Sequence, residues 1–264
     1  MLDRSTNIQD SKIELPDGKM HYLLLGEGSP IVLLHSLASS VWSWAKVLEP
    51  LAQKHTVYAL DTMGEGDSDK PCRDYTIEDY AQGVIDFMRA KGIIKATLIG
   101  NSVGAIFAAV VAVTEPTILE KLILVGCPCR ETEQEREDAM AATKASYDDR
   151  GIPLPFSLED LSQYYVHISP ELQTKVNEDR AKAGMWAWKC RTAMTNFDIV
   201  PVLKKVEAET LLIFGEKDIL RDKEKALNNH IRNSKLIIIP DAGHLPQLDN
   251  PKTFSEVVET FLES

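Results

Sequence analysis

Ser102 lies inside Gly100-Asn101-Ser102-Val103-Gly104, directly after the apolar run Ala96-Thr97-Leu98-Ile99 and directly before Ala105-Ile106-Phe107-Ala108-Ala109-Val110-Val111. A serine between a strand-like run and a helix-like run, bracketed by glycines, reads as a tight and strained turn that presents a hydroxyl nucleophile. Side chains at Gly100 or Gly104 would meet the adjoining strand and helix. Serine attacks once a base takes its proton, and neutral imidazole is the usual base near pH 7. His244, in Pro240-Asp241-Ala242-Gly243-His244-Leu245-Pro246, follows the last apolar run, where a loop can project a side chain over the carboxyl edge of a sheet. His21, His55, His167 and His230 have no such setting. The base needs a carboxylate to fix its tautomer and stabilise the imidazolium. Asp218 in Phe214-Gly215-Glu216-Lys217-Asp218-Ile219 fits best, with Glu216 as competitor and Asp222 as a weaker one further along.

A tetrahedral intermediate also needs donors for its oxyanion. The Val103 N–H, at a helix N-terminus beside the nucleophile, is one, and the Leu37 N–H in Leu34-His35-Ser36-Leu37-Ala38-Ser39-Ser40 is the expected second. His35 is expected to brace that loop. This chemistry needs no cofactor. No metal site is expected either: Cys72, Cys127, Cys129 and Cys190 show no CxxC spacing and have no companion histidines, so they read as reduced thiols. Cys127-Pro128-Cys129 follows a strand end near the expected active face, where a thiol could meet alkylating reagents.

The elements that must carry these groups are legible as short β-branched runs separated by amphipathic stretches, the pattern of a mostly parallel sheet covered on both faces. Strands are predicted at Ile13-Leu15, Tyr22-Leu25, Ile31-Leu34, Thr56-Leu60, Ala96-Ile99, Leu122-Val125, Leu211-Phe214 and Leu236-Ile239. Pro16-Asp17-Gly18 predicts an edge hairpin between the first two. Thr76 predicts a helix N-cap, with Tyr80, Val84, Ile85 and Met88 on the face that packs on the sheet. Between Cys129 and Val200 the strand rhythm stops. The reading is an α/β core of residues 1–129 and 201–264 with a helical cap insertion over 130–200.

Of the 264 residues, 29 are basic and 40 acidic, a formal charge of -11 with no local basic cluster, which argues against nucleic acid and anionic membranes as partners. The polar start at residues 1–7 lacks a signal peptide's apolar stretch and no run reaches membrane-span length, so a cytoplasmic protein is expected. No heptad seam selects between monomer and homodimer. The expected partner is a small-molecule substrate, held in a largely apolar pocket to which Trp42, Trp44, Phe107, Trp186 and Trp188 could contribute.

Leu33-Leu34-His35-Ser36, the segment from Asp61 to Pro71 (DTMGEGDSDKP), the turn at Ser102, Gly215-Glu216-Lys217-Asp218 and Ala242-Gly243-His244 together resemble the α/β-hydrolase superfamily, in its branch of capped serine hydrolases that includes carboxylesterases and meta-cleavage product C–C hydrolases. The resemblance implies an eight-stranded sheet with an inserted cap, Ser102 as nucleophile, Asp218 as acid, His244 as base, and Leu37 and Val103 as oxyanion donors. Ser36 stands where the family usually has glycine, adding a hydroxyl that could contact the ligand; Leu245 stands where C–C hydrolases typically have tryptophan, whereas Asn101 resembles that group. Arg180 or Arg191 could contact an acidic substrate. A serine nucleophile argues against haloalkane dehalogenase and epoxide hydrolase chemistry, which use aspartate in this fold. The leading expectation is hydrolysis of a small, largely apolar ester through an acyl-enzyme. A C–C bond hydrolase, or a ligand receptor that keeps a hydrolase pocket, are the alternatives.

Overall fold

A computed structural model describes residues 8–264; residues 1–7 lie outside the described residues. The strands are β1 (Gln9–Leu15), β2 (Gly18–Leu25), β3 (Ser29–Leu34), β4 (His55–Leu60), β5 (Ala96–Asn101), β6 (Leu119–Val125), β7 (Thr210–Gly215) and β8 (Ser234–Ile239). They form one eight-stranded sheet in the order β1-β2-β4-β3-β5-β6-β7-β8. β1 and β2 make the edge hairpin, with Leu15 opposite Gly18, and β2 also runs antiparallel to β4; every later pairing is parallel.

Alternation along the central strands explains why they read as unbroken apolar runs. Val32 and Leu34, Leu122 and Leu124, and Leu212 and Phe214 face one buried layer, while Ile31 and Leu33, Ile123 and Val125, and Leu211 and Ile213 face the other. A strand covered on both faces needs no polar side. The first layer is closed by the helices Ile77–Ala90 and Val103–Thr114. The second is closed by Trp44, Leu48, Leu51 and the helix Pro251–Leu262, with Trp44 and Phe254 ring centroids 6.2 Å apart. Thr76 caps the first helix through a reciprocal capping box with Asp79, and Tyr80, Val84, Ile85 and Met88 are buried.

Between β6 and β7 the chain makes helices at Glu133–Thr143, Leu158–Leu161, Pro170–Ala183, Met185–Thr195 and Val200–Leu203. The described part of this segment has no strand beyond the isolated bridge Tyr147–Pro153. It is fastened to the carboxyl edge of the sheet. Ser40 Oγ donates to Asp179 at 2.8 Å, Lys182 pairs with Asp67 at 2.8 Å, and Lys189 pairs with Asp74 at 2.8 Å. Among the described residues, no helix is long and apolar enough to cross a membrane.

Candidate active site

Ser102 occupies the junction of β5 and the helix Val103–Thr114, with φ 56° and ψ −117°. A non-glycine residue is rarely held there, because its Cβ crowds the backbone. Its own amide donates to Val125 O at 2.8 Å and its carbonyl accepts from Ala105 N at 3.0 Å, so the strained residue is pinned at both ends. The flanking glycines have a steric reason. A Cβ on Gly100 would collide with Gly104 O, and one on Gly104 with the carbonyls of Leu34 and His35. The helix therefore starts flush against β3, and its first N–H groups, Val103's included, have no intrahelical acceptor.

His244 and Asp218 come together from the ends of β8 and β7. His244 Nδ1 donates to Asp218 Oδ1 at 2.8 Å, and both side chains are buried. Asp218 Oδ1 also accepts from Leu220 N at 2.8 Å. With its proton on Nδ1, the imidazole keeps Nε2 as the lone-pair nitrogen, the form a general base requires. Glu216, the competing acid, instead accepts from Asp241 N at 3.2 Å, and Asp222 pairs with Lys223 at 3.3 Å. Gly126, with φ 51°, leaves room for the pair: a Cβ there would lie 2.8 Å from Asp218 Oδ2 and 2.9 Å from His244 Nδ1.

The histidine loop is held by residues that pattern reading does not single out for this purpose. Asn101 Nδ2 donates to both Val125 O (3.2 Å) and His244 O (3.1 Å), tying the residue before Ser102 to the His244 loop. Asp249 accepts from Gly243 N at 2.8 Å, from Val166 N and from His167 N, while His244 N donates to Tyr164 O at 2.7 Å. The 164–167 segment and the histidine loop are thus one hydrogen-bonded unit. Asn101 stands beside Ser102 in sequence; nothing in the local pattern around Asp249 marks its long-range bonds.

The loop after β3 is also braced. His35 Nδ1 donates to Ser36 O at 2.7 Å and its Nε2 accepts from Thr62 N at 3.0 Å, the bracing role expected for it. Ala38, next to Leu37, is held at φ 54°. The carboxylate of Glu65 accepts from Ser39 N at 3.2 Å and from Ala38 N. Glu65 is 1% exposed, and burial pushes its carboxyl up to about 7, against the lowering effects of His35 and the two amides.

Ser102, His244, Ser36, Leu37, Trp42 and Leu245 border one cavity of about 160 Å³. Trp186 and Trp188, expected in its wall, are elsewhere. Trp186 is buried edge-on against Tyr75, with centroids 5.5 Å apart, and Trp188 packs on Tyr147 at 5.1 Å. In the helix Met185–Thr195 the cavity is met by Arg191 and Met194. At about 100° per residue, the two tryptophans point roughly a quarter turn to either side of that face. Trp44 and Phe107 belong to the core, Phe107 stacked on Tyr80 at 4.7 Å. The wall is also less apolar than expected, since Arg130, Arg180, Arg191 and Asp179 all reach it.

Cys127 and Cys129 are buried, and burial pushes the Cys127 thiol well up and that of Cys129 up to about 12, so neither is a ready nucleophile. Among the described residues, one group has metal-like spacing: His21, Asp61 and Asp67. Its atoms are engaged within the protein. His21 Nδ1 bonds Asp61 Oδ2 at 2.7 Å, Asp61 accepts from Val41 N and Asp67 N, and Asp67 pairs with Lys182. The group ties β2, β4 and the segment after β4 together.

A family profile described as alpha/beta hydrolase fold matches residues 29–251. A 2-hydroxy-6-oxo-6-(2'-aminophenyl)hexa-2,4-dienoic acid hydrolase from Metapseudomonas resinovorans is 26% identical over 261 residues, covering 91% of this chain and 86% of its own. The human serine hydrolase BPHL is 26% identical over 273 residues, covering 98% and 88%. Among solved structures, an esterase from Exiguobacterium antarcticum superposes with a TM-score of 0.82 at 22% identity, covering 97% of this chain and 100% of that one; at this identity the likeness is one of fold.

Proposed function

Because this chain belongs to the alpha/beta hydrolase fold family, we propose that it is a serine hydrolase that cleaves a small carboxylic ester through an acyl-enzyme. The observation that carries the reading is the convergence of three strand ends on one cavity: Ser102 in its strained turn, and His244 hydrogen-bonded at 2.8 Å to Asp218. His244 Nε2 takes the Ser102 proton as the hydroxyl attacks the ester carbonyl. The tetrahedral oxyanion is received by the Leu37 and Val103 amides, and the protonated imidazole passes its proton to the departing alkoxide. Asp218 stabilises the imidazolium while it exists. Water, activated by the same His244, then releases the acid and restores Ser102. The strain at Ser102 and the Glu65 brace keep both halves of the site in position, so little reorganisation is needed as charge develops.

The test is turnover of 4-nitrophenyl butyrate by the protein and by Ser102→Ala. Loss of roughly 10⁴-fold or more in kcat supports the assignment; a variant that retains turnover removes Ser102 from the mechanism.

A further inference from the structure

Two arginines face the catalytic cavity with no hydrogen bond or ion pair to the described residues, although the charges of Glu135 and Asp222 act on Arg130 from a distance. Arg130 follows Cys129 just beyond the carboxyl end of β6, the strand between those that carry Ser102 and Asp218. Arg191 reaches the same cavity from the helix Met185–Thr195, and its Nε is buried without a hydrogen-bond partner. Among the described residues, neither guanidinium makes an ion pair or hydrogen bond to the protein. The contrast with Arg180 is direct. That side chain donates to Leu154 O at 2.9 Å and Ser146 O at 3.3 Å, and lies 3.5 Å over the Phe156 ring, so it is a wall element already satisfied by the fold.

The acids nearby are engaged elsewhere. Glu135 pairs with Lys223 at 2.8 Å and accepts from Glu131 N, Asp222 also pairs with Lys223, and Asp179 is held by Ser40 and Lys175. Burial, then the charge of Arg191, push Arg130 down from its usual value, so the two cations sit within each other's field. Guanidinium stays charged at every working pH. Two partly buried cations that repel each other and leave N–H groups unmet are unfavourable alone and favourable once an anion lies between them. A planar carboxylate matches the guanidinium donor geometry.

We propose that Arg130 and Arg191 form a carboxylate subsite, so that the substrate of Ser102 is an ester bearing a free carboxylate remote from the scissile bond. This rests on the serine hydrolase reading for the reaction but not for the binding. The probes are 4-nitrophenyl hydrogen glutarate and its neutral counterpart, methyl 4-nitrophenyl glutarate, which share the leaving group and chain length. The protein is expected to prefer the anionic ester in kcat/KM. Arg191→Met and Arg130→Met, on separate elements, should each lower the ratio of anionic to neutral kcat/KM by about 10- to 100-fold, the range for a lost charge-assisted hydrogen bond. Arg191→Lys should recover part of it. An unchanged ratio in both methionine variants overturns the subsite.

Binding is measured separately by titration calorimetry with glutarate and with inorganic phosphate at constant ionic strength. Glutarate binding that weakens by about tenfold or more in Arg191→Met supports the subsite even if neither ester is turned over, an outcome that would count against the hydrolase reading alone. No glutarate binding, or binding of phosphate in its place, overturns the carboxylate assignment.

Discussion

Replacing Glu65 with glutamine should stabilise this protein in a manner that depends on pH. Glu65 is buried behind the loop after β3, bonded to the Ser39 and Ala38 amides, with His35 Nδ1 3.9 Å away. Burial is the largest influence on the Glu65 carboxyl and outweighs the lowering effects of His35 and of the two amides. Asp61 adds repulsion, and the carboxyl holds its proton up to about 7 instead of 4.5. The unfolded chain ionises Glu65 freely near pH 4.5, whereas the folded chain must do so in a site that resists the charge. Ionisation therefore destabilises the fold progressively from pH 4.5 to about 7 and by a constant amount above. At about 1.4 kcal/mol per pH unit, the penalty is about 3 kcal/mol at pH 8 and under about 1 kcal/mol at pH 5. Glu65→Gln keeps the shape and an acceptor oxygen but cannot ionise. Between pH 5 and pH 8 its stability relative to the parent should rise by about 2.5 kcal/mol, or roughly 5–10 °C in Tm for a chain of this size. Thermal melts of both proteins across that range provide the measurement. A Tm difference that does not change with pH would refute the reasoning, whatever its sign.

Asp218→Asn should leave the fold intact and reduce kcat about 10⁴-fold, because the amide no longer enforces the Nδ1–H tautomer of His244. Glu216→Gln, measured in the same ester assay, should fall by less than about threefold, well below the loss expected at an essential acid; the reverse ranking would move the acid to Glu216. Gly126→Ala introduces a Cβ at positive φ, 2.8 Å from Asp218 Oδ2 and 2.9 Å from His244 Nδ1. It should cost roughly 2–4 kcal/mol in urea unfolding and also lower kcat, since relief of the clash displaces the acid–base pair. Unaltered stability and turnover in this variant would show that the pair is not held as described.

The sheet was legible in the sequence because each central strand is buried on both faces and so appears as a short uninterrupted apolar run. The three candidate site residues were legible for a related reason. Ser102, Asp218 and His244 each lie a few residues beyond such a run, and glycines at 100, 104, 215 and 243 mark the tight turns between. What pattern reading could not supply was the rotation of elements about their axes. Trp186 and Trp188 are large, apolar and near the site in sequence order, yet the helix turns Arg191 and Met194 to the cavity instead. Glu65 was visible within the motif after β4, but its burial against Ala38 and Ser39 depends on contacts 26 residues away. Asp249 likewise acts through a bond to Val166 that spans 83 residues. Local composition carries no trace of either.

The nucleophile is tested most directly by the covalent intermediate itself. The protein would be mixed with 4-nitrophenyl acetate, quenched in acid within the first turnover, and its intact mass and peptide masses measured. An added acetyl group is expected on the peptide that contains Ser102, absent in Ser102→Ala and accumulating in His244→Ala only at a greatly reduced rate. Hydrolysis without any acylated peptide, or acylation mapped to another residue, would contradict it.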